Sequence, residues 1–226
     1  MMFRCLRALL TAIFVPLYRL RIEGRERIPA EGPLLLAANH ASYWDAVFLQ
    51  IGCPRQIRWM IDEAYYRLPL LGWLFRAIGC IPVAAAGGNR AALRVATQAL
   101  KSGDVVGIFP EGFLSRTGRM RRAQAGVAML AARAGAPVLP VYLRGAFFSW
   151  HKGQWFPRFA RVTVRFGEPM WLRRREDFSR AALQGFADRV MQAIKGLYGH
   201  GQARRMAAQA GPWDGTERRQ TMEPLP

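Results

Sequence analysis

Short apolar runs alternate with amphipathic segments along most of the chain. The run at 34–38 is uninterrupted, which is typical of a strand covered on both faces. The segment 161–166 alternates apolar and polar residues, as a strand does when one face is exposed. The predicted strands are, in chain order, 19–23, 34–38, 55–61, 105–109, 138–143 and 161–166, with a brief apolar segment at 80–83.

Helical patterns separate these strands. In the segment 89–101, Leu93, Ala96 and Leu100 recur at helical spacing, and Gly103 follows the last turn. The predicted helices are 44–51, 70–78, 89–101, 123–134 and 178–198. The alternation predicts a single-domain α/β fold whose mostly parallel or mixed sheet is covered by helices on both faces. Ligands of such folds bind beyond the carboxyl ends of the strands.

Length and composition bound the number of domains. A chain of 226 residues with 51% hydrophobic content can bury the core of one ordinary domain. We expect that domain at 21–199. The polar segment 200–226 contains Gly and Pro, and it predicts a disordered tail.

The N-terminal segment 1–20 predicts an amphipathic, membrane-associated helix. Its apolar stretch at 9–17 is too short to cross a bilayer and is flanked by arginines, among them Arg4 and Arg7. This pattern fits a helix that lies in the membrane interface. The alternative interpretation is a helix that packs on the core and has basic flanks.

Charge restricts the choice of partner. Thirty-three Lys and Arg residues against 15 Asp and Glu give a net charge of +18, which indicates an anionic membrane, an acidic carrier protein or nucleic acid. No nucleic-acid-binding motif accompanies the charge, so we expect no nucleic-acid partner. The three cysteines are far apart and show no zinc-binding spacing, and the sequence predicts neither a metal nor a cofactor.

The segment 39–45 carries the strongest chemical pattern, NHASYWD. It places His40 between a buried strand and a helix, and the first helical turn can bring Asp45 back to the imidazole. Histidine suits a general base that takes a proton from a hydroxyl group, while the carboxylate orients the ring. The alternative is an Asn-His pair that caps the helix beside a solvated aspartate.

A second polar cluster, FPEG at 109–112, follows another apolar strand roughly 70 residues later. In the functional interpretation, Glu111 holds hydroxyl groups of an acceptor substrate or of the loop that follows the cluster, while Gly112 lets the backbone approach a ligand closely. The alternative is a strand-ending turn with an exposed glutamate. The presence of both clusters, in this order and at strand ends, favours the functional interpretation.

With these two blocks the sequence resembles the 1-acylglycerol-3-phosphate and related glycerolipid acyltransferases, over about residues 22–169. The resemblance implies a glycerolipid-acyltransferase-like fold and direct transfer of a fatty acyl group from acyl carrier protein or coenzyme A to a lysophospholipid hydroxyl. It implies that His40 is the base and Asp45 its partner. The substrate-binding residues that it predicts within the two blocks are Asn39, Pro110, Glu111 and Gly112.

The sequence departs from the family pattern at two arginine positions. The arginine expected after 80–83 is replaced by alanines, and Arg90 is the predicted substitute for acceptor binding. After FPEG the chain continues FLSRTG, similar to acyltransferase domains fused to acyl-activating enzymes, and Arg116 is the predicted contact from the basic loop 116–122. Lysophosphatidic acid, lysophosphatidylethanolamine and lyso-ornithine lipid all remain candidate acceptors.

Aromatic residues recur beside basic ones, as at 73–76, 147–152 and 155–158, a mixture suited to the headgroup region of a membrane. Core packing with scattered charge is the alternative for each cluster. We therefore expect a peripheral or monotopic enzyme on the cytoplasmic face of the inner membrane. A non-catalytic lipid-binding protein of the same fold is the competing hypothesis.

Overall fold

Among the residues that the structure describes, seven strands pair in the order β1-β7-β6-β2-β5-β3-β4. In this computed structural model, residues 2–69, 71–84, 90–172 and 179–209 are described. The strands are β1 (Arg21–Glu23), β2 (Leu34–Ala38), β3 (Ile57–Asp62), β4 (Ile81–Val83), β5 (Val105–Ile108), β6 (Val138–Arg144) and β7 (Thr163–Phe166). β2 to β6 are mutually parallel, whereas β7 pairs antiparallel with β6 and carries β1 beside it.

The helices cover both faces of this sheet. They are α1 (Met2–Leu17), α2 (Asp45–Gly52), α3 (Glu63–Tyr66), α4 (Gly72–Ala77), α5 (Arg90–Lys101), α6 (Gly126–Ala134) and α7 (Arg180–Gln209). Two short 3₁₀ turns lie at Arg25–Arg27 and Ala146–Phe148. The predicted α/β class, the mixed sheet and the N-terminal helix are confirmed.

The buried strand β2 separates two hydrophobic cores. All five of its residues are buried, and alternate side chains point to opposite faces. Leu34 and Leu36 join the core that includes Phe14 of α1 and Phe48 of α2. Leu35 instead joins the core under α5, α6 and α7. This burial explains the uninterrupted apolar run in the sequence.

The strand order places three carboxyl ends side by side. β2 lies between β5 and β6, with Ala37 opposite Ile108 and Ala38 opposite Val141. The turns that follow these parallel strands must therefore meet at one edge of the sheet. Both predicted polar clusters lie in these turns.

Most element boundaries differ from the predicted ones by one or two residues, and the larger differences have local causes. α6 begins at Gly126 instead of 123, because the N–H of Gln124 bonds to the Pro110 carbonyl and so holds this segment in the site loop. α3 is too short to leave a periodic pattern. The last helix continues to Gln209, ten residues beyond the predicted domain boundary at 199, and residues 210–226 of the predicted tail lie outside the described residues.

Candidate active site

The turn after β2 brings His40 and Asp45 together. β2 ends at Ala38, α2 begins at Asp45, and Nδ1 of His40 lies 2.9 Å from Oδ2 of Asp45. The same oxygen accepts hydrogen bonds from the backbone N–H groups of Ala41 at 2.7 Å and Ser42 at 2.8 Å. Because the Asp45 side chain is fully buried, its carboxylate fixes both the turn and the imidazole.

An aromatic stack supports one face of the His40 ring. The centroid of this ring lies 3.8 Å from that of Phe109, and the two planes differ by 9°. Phe109 stacks in turn on Trp59, with 5.2 Å between their centroids. The His40 side chain keeps 23% of its surface exposed. Since Asp45 engages Nδ1, Nε2 is the ring nitrogen available to a reaction partner.

This pair can act as a general base without a nucleophile from the protein. Within the part of the chain that the structure describes, no serine, threonine or cysteine side chain hydrogen-bonds to the His40 ring. The hydroxyl of the nearby Ser42 is instead 2.9 Å from Oγ of Ser149 and donates to the Trp150 carbonyl. The geometry therefore favours proton removal from a substrate hydroxyl.

Glu111 ties the two motif turns together. Its Oε1 accepts from the His40 N–H at 3.0 Å, and its Oε2 accepts from the Arg121 N–H at 2.8 Å. In the same region the Ser115 N–H donates to the His40 carbonyl at 2.9 Å. Glu111 is 3% exposed, and this burial raises the pKa of its carboxyl group, whereas the two N–H donors act to lower it. Both carboxylate oxygens thus bind backbone, a function that the sequence did not predict.

Three other predicted substrate-binding residues also have structural partners. The buried Asn39 side chain donates to the Leu143 carbonyl at 3.3 Å and accepts from the Leu143 N–H at 2.8 Å, which joins the ends of β2 and β6. The Pro110 carbonyl accepts from the Gln124 N–H at 2.8 Å. Gly112 has a φ of +77°, and a Cβ there would lie 2.1 Å from Nε2 of Gln124. Gly112 therefore serves the turn, and the Gln124 side chain fills the space beside it.

The turn after β6 also contributes to the site, which the sequence did not predict. The Tyr43 N–H donates to the Trp150 carbonyl at 3.0 Å, and their rings lie 5.1 Å apart. The contact between Ser42 and Ser149 adds a buried hydroxyl pair. Because β6 is the neighbour of β2, its following turn packs on the His40 turn. The aromatic sequence at 147–150 was visible, but its position depended on strand order.

The arginines predicted to contact a ligand differ in their surroundings. Arg116, Arg119 and Arg121 are exposed beside the Glu111 turn, where they can meet an anionic ligand. Arg122 is instead paired with Asp188 of α7 at 3.0 Å.

Arg90 is exposed at the start of α5, and the segment 85–89 before it lies outside the described residues. It follows the edge strand β4, three strand spacings or about 14 Å from β2, so its function in acceptor binding stays a prediction.

Glu111→Gln is expected to lower the free energy of unfolding by about 1–3 kcal/mol, because a glutamine keeps one acceptor oxygen but turns an NH₂ group toward one of the two part-buried N–H donors. Denaturant unfolding measures this loss. We expect the acyl transfer that the sequence predicts to fall as well, since one of the two turns that Glu111 holds loses its hydrogen bond.

The exposed Glu31 provides the matched control. Glu31→Gln should change the free energy of unfolding by less than about 0.5 kcal/mol. Equal stability of the Glu111 and Glu31 variants would contradict the proposed linkage between the two turns.

Comparison with protein families and curated proteins gives a consistent result. The family profile described as Acyltransferase matches residues 19–144. The 1-acyl-sn-glycerol-3-phosphate acyltransferase of Bacillus subtilis (strain 168) is 25% identical over 182 residues, which cover 78% of this chain and 87% of that protein. The Pseudomonas aeruginosa enzyme of the same name is 30% identical over 155 residues, covering 67% and 59%.

Plant proteins are also similar over a shorter region. The chloroplastic 1-acyl-sn-glycerol-3-phosphate acyltransferase LPAT1 of Arabidopsis thaliana is 28% identical over 133 residues, 58% of this chain. The chain covers 37% of that protein and 38% of the related chloroplastic protein of Brassica napus. The match thus spans less than two fifths of these relatives.

A solved structure shares the fold. The crystal structure of the 1-acyl-sn-glycerophosphate acyltransferase PlsC from Thermotoga maritima superposes with a TM-score of 0.71 and 24% identity. The alignment covers 93% of this chain and 80% of that one.

Proposed function

This chain belongs to the acyltransferase family, and from that premise we propose that it transfers a fatty acyl group from a thioester to a hydroxyl group of a lysophospholipid. The observation that carries the proposal is the contact of 2.9 Å between His40 and the buried Asp45, beside a ring nitrogen that is available to the acceptor. His40 takes the hydroxyl proton as the acceptor oxygen attacks the thioester carbonyl. The tetrahedral intermediate then collapses by breaking the carbon–sulfur bond, and the His40 imidazolium returns the proton to the departing thiolate. Asp45 holds the ring and stabilises the imidazolium that forms.

The names of the relatives support a 1-acylglycerol-3-phosphate acceptor. Proteins named for that activity match from Bacillus, Pseudomonas and plants. The exposed Arg116 and Arg119 beside the Glu111 turn suit a phosphate group of the acceptor or of coenzyme A, or the acidic surface of acyl carrier protein. Both thioesters are therefore proposed as donors.

The surface of α1 supports a peripheral position on a membrane, which we propose to be the cytoplasmic face of the inner membrane. Phe14 packs inward against Trp44 with 5.1 Å between ring centroids, whereas Leu9, Ile13 and Leu17 form an exposed apolar stripe. This helix therefore combines both sequence interpretations, because one face packs on the core and the other can enter a bilayer interface. Among the described helices, none is long and apolar enough to span a membrane.

Acyl transfer by the purified full chain tests the function. Palmitoyl thioesters of coenzyme A and of acyl carrier protein are offered with lysophosphatidic acid, lysophosphatidylethanolamine and a lyso-ornithine lipid. We expect transfer to lysophosphatidic acid with at least one donor. The same assay on dispersed, short-chain acceptors separates chemistry from membrane access.

Each result changes the assignment. Preferred transfer to another lysolipid would keep the chemistry and correct the acceptor. No transfer to any acceptor, with binding to lysolipid retained, would favour the non-catalytic lipid-binding protein.

A further inference from the structure

The connection between β6 and β7 exposes three large aromatic side chains. Trp155 is 89% exposed, Phe156 76% and Phe159 77%. Side chains of this size are usually at least partly covered in a soluble protein. We call residues 152–161, which contain these three side chains, the aromatic loop.

Hydrogen bonds hold the aromatic loop in a defined shape. The Gln154 side chain donates to the Phe156 carbonyl at 2.7 Å, and the Trp150 indole donates to the Gln154 carbonyl at 3.1 Å. The Arg158 N–H donates to the Ser149 carbonyl at 2.6 Å. At the base of the connection, a Cβ on Gly145 would lie 2.1 Å from the Arg161 carbonyl oxygen, so the two chain segments are in close contact. The exposed rings therefore belong to a folded loop.

Every charged residue in the aromatic loop is basic. Lys152, Arg158 and Arg161 are all exposed. The longer segment 112–167 contains ten Lys and Arg residues and neither Asp nor Glu. The surface around the rings is therefore suited to an anionic partner.

The aromatic loop lies at the same edge of the sheet as the active site. It follows directly from Trp150, which bonds to the His40 turn through Tyr43. At its other end, the Val162 N–H donates to the Tyr18 carbonyl at 3.0 Å, next to the end of α1. The exposed stripe of α1 finishes at Leu17, so the two apolar surfaces approach one another beside the site.

We propose that the aromatic loop inserts into an anionic bilayer, with Trp155, Phe156 and Phe159 in the headgroup boundary and Lys152, Arg158 and Arg161 on lipid phosphates. An acidic carrier protein could pair with the basic residues, but it would not account for three exposed rings. A bilayer interface accommodates both. The inference rests on the proposed function in that it brings His40 to an acceptor that stays in the membrane.

Vesicle binding by the full chain tests the aromatic residues. We expect Trp155→Ala/Phe156→Ala to weaken co-sedimentation with phosphatidylglycerol–phosphatidylcholine vesicles by about 100-fold. The control is Trp171→Ala: Trp171 is 63% exposed, but it follows Met170, which pairs with Val138 at the opposite end of the sheet. Binding by the control should equal that of the wild type.

A charge experiment tests the basic residues. Arg158→Gln/Arg161→Gln should weaken binding to anionic vesicles by about 30-fold and leave binding to phosphatidylcholine vesicles unchanged. Arg133→Gln, an exposed position at the end of α6 and just before β6, is the matched control and should bind as the wild type does.

Fluorescence quenching by brominated lipids shows directly whether the Trp155 ring lies in the bilayer. Trp155→Phe keeps an apolar side chain but should remove most of the quenchable tryptophan signal, whereas Trp171→Phe should not. Unchanged quenching in Trp155→Phe, or wild-type vesicle binding by the alanine variants, would overturn the inference. So would a loss of transfer confined to acyl carrier protein with unchanged vesicle binding, because the loop would then bind the carrier.

Failure of the membrane-insertion proposal can be distinguished from failure of the proposed function. His40→Ala should bind vesicles as the wild type does. A wild-type chain that binds through the loop but transfers no acyl group would refute the proposed function and retain the membrane surface. A chain that transfers acyl groups, while its aromatic-loop variants bind vesicles normally, would refute the membrane surface and retain the proposed function.

Discussion

His40→Ala is expected to lower kcat for acyl transfer by about 10³-fold or more, because the substitution removes the group that we propose takes the acceptor proton. The effect is expected in kcat/KM as well, since the imidazole acts in the transition state. Initial rates with saturating thioester and lysophosphatidic acid measure it. Asp45 and Glu111 remain in place in this variant, so their hydrogen bonds to Ala41, Ser42 and Arg121 persist.

His151→Ala is the matched control for this substitution. The His151 ring also stacks on a phenylalanine, Phe147, at 4.3 Å, and its Nδ1 lies 3.2 Å from the Phe147 carbonyl oxygen. Within the described residues, no carboxylate pairs with it. We expect His151→Ala to turn over dispersed substrate at close to the wild-type rate. Equal activity of the two variants would show that His40 is not the base.

Asp45→Asn is expected to lower kcat by about 100-fold, less than the roughly 10⁴-fold loss for a triad aspartate whose replacement leaves the histidine in the wrong tautomer. Here two backbone N–H groups, from Ala41 and Ser42, share Oδ2 with His40. They orient the amide so that its oxygen still faces them. The His40 tautomer should therefore be preserved, and we expect the variant to lose only the negative charge that is proposed to stabilise the imidazolium.

The second carboxylate oxygen of Asp45, Oδ1, affects the stability of the Asp45→Asn variant. Among the described residues, Oδ1 of Asp45 is buried and has no hydrogen-bond partner, so the asparagine NH₂ group would occupy its position without an acceptor. We expect the free energy of unfolding to fall by about 1–3 kcal/mol, as measured in denaturant. Asp45→Ala removes all three hydrogen bonds at Oδ2 and should approach the activity of His40→Ala. Full activity of Asp45→Asn would contradict a need for the carboxylate charge.

The fold could be predicted as a class because its strands carry local signals. The buried run at 34–38 became β2 without a change of boundary. Strand order carries no such local signal. Nothing in the residues near β5 indicates that it lies between β2 and β3, since that position depends on the packing of the whole sheet.

The same distinction applies to the site. The contact between His40 and Asp45 could be predicted because five residues and one helical turn determine it. The partners of Asn39 and Glu111 could not, because they are backbone groups that are brought close only by neighbouring strands. The stack of Trp59, Phe109 and His40 similarly requires β3 beside β5 and β5 beside β2.

The linkage of the His40 turn to distant segments has a consequence during synthesis. Glu111 lies 71 residues from His40, and Leu143 lies 104 residues from Asn39. A nascent chain that has left the ribosome only as far as Gly112, just after β5, already contains the histidine, the aspartate and the glutamate, but it lacks the strand that anchors Asn39. Such distant pairings form late in folding because loop closure is costly. A growing chain therefore completes the geometry of the candidate active site only after β6 has joined the sheet.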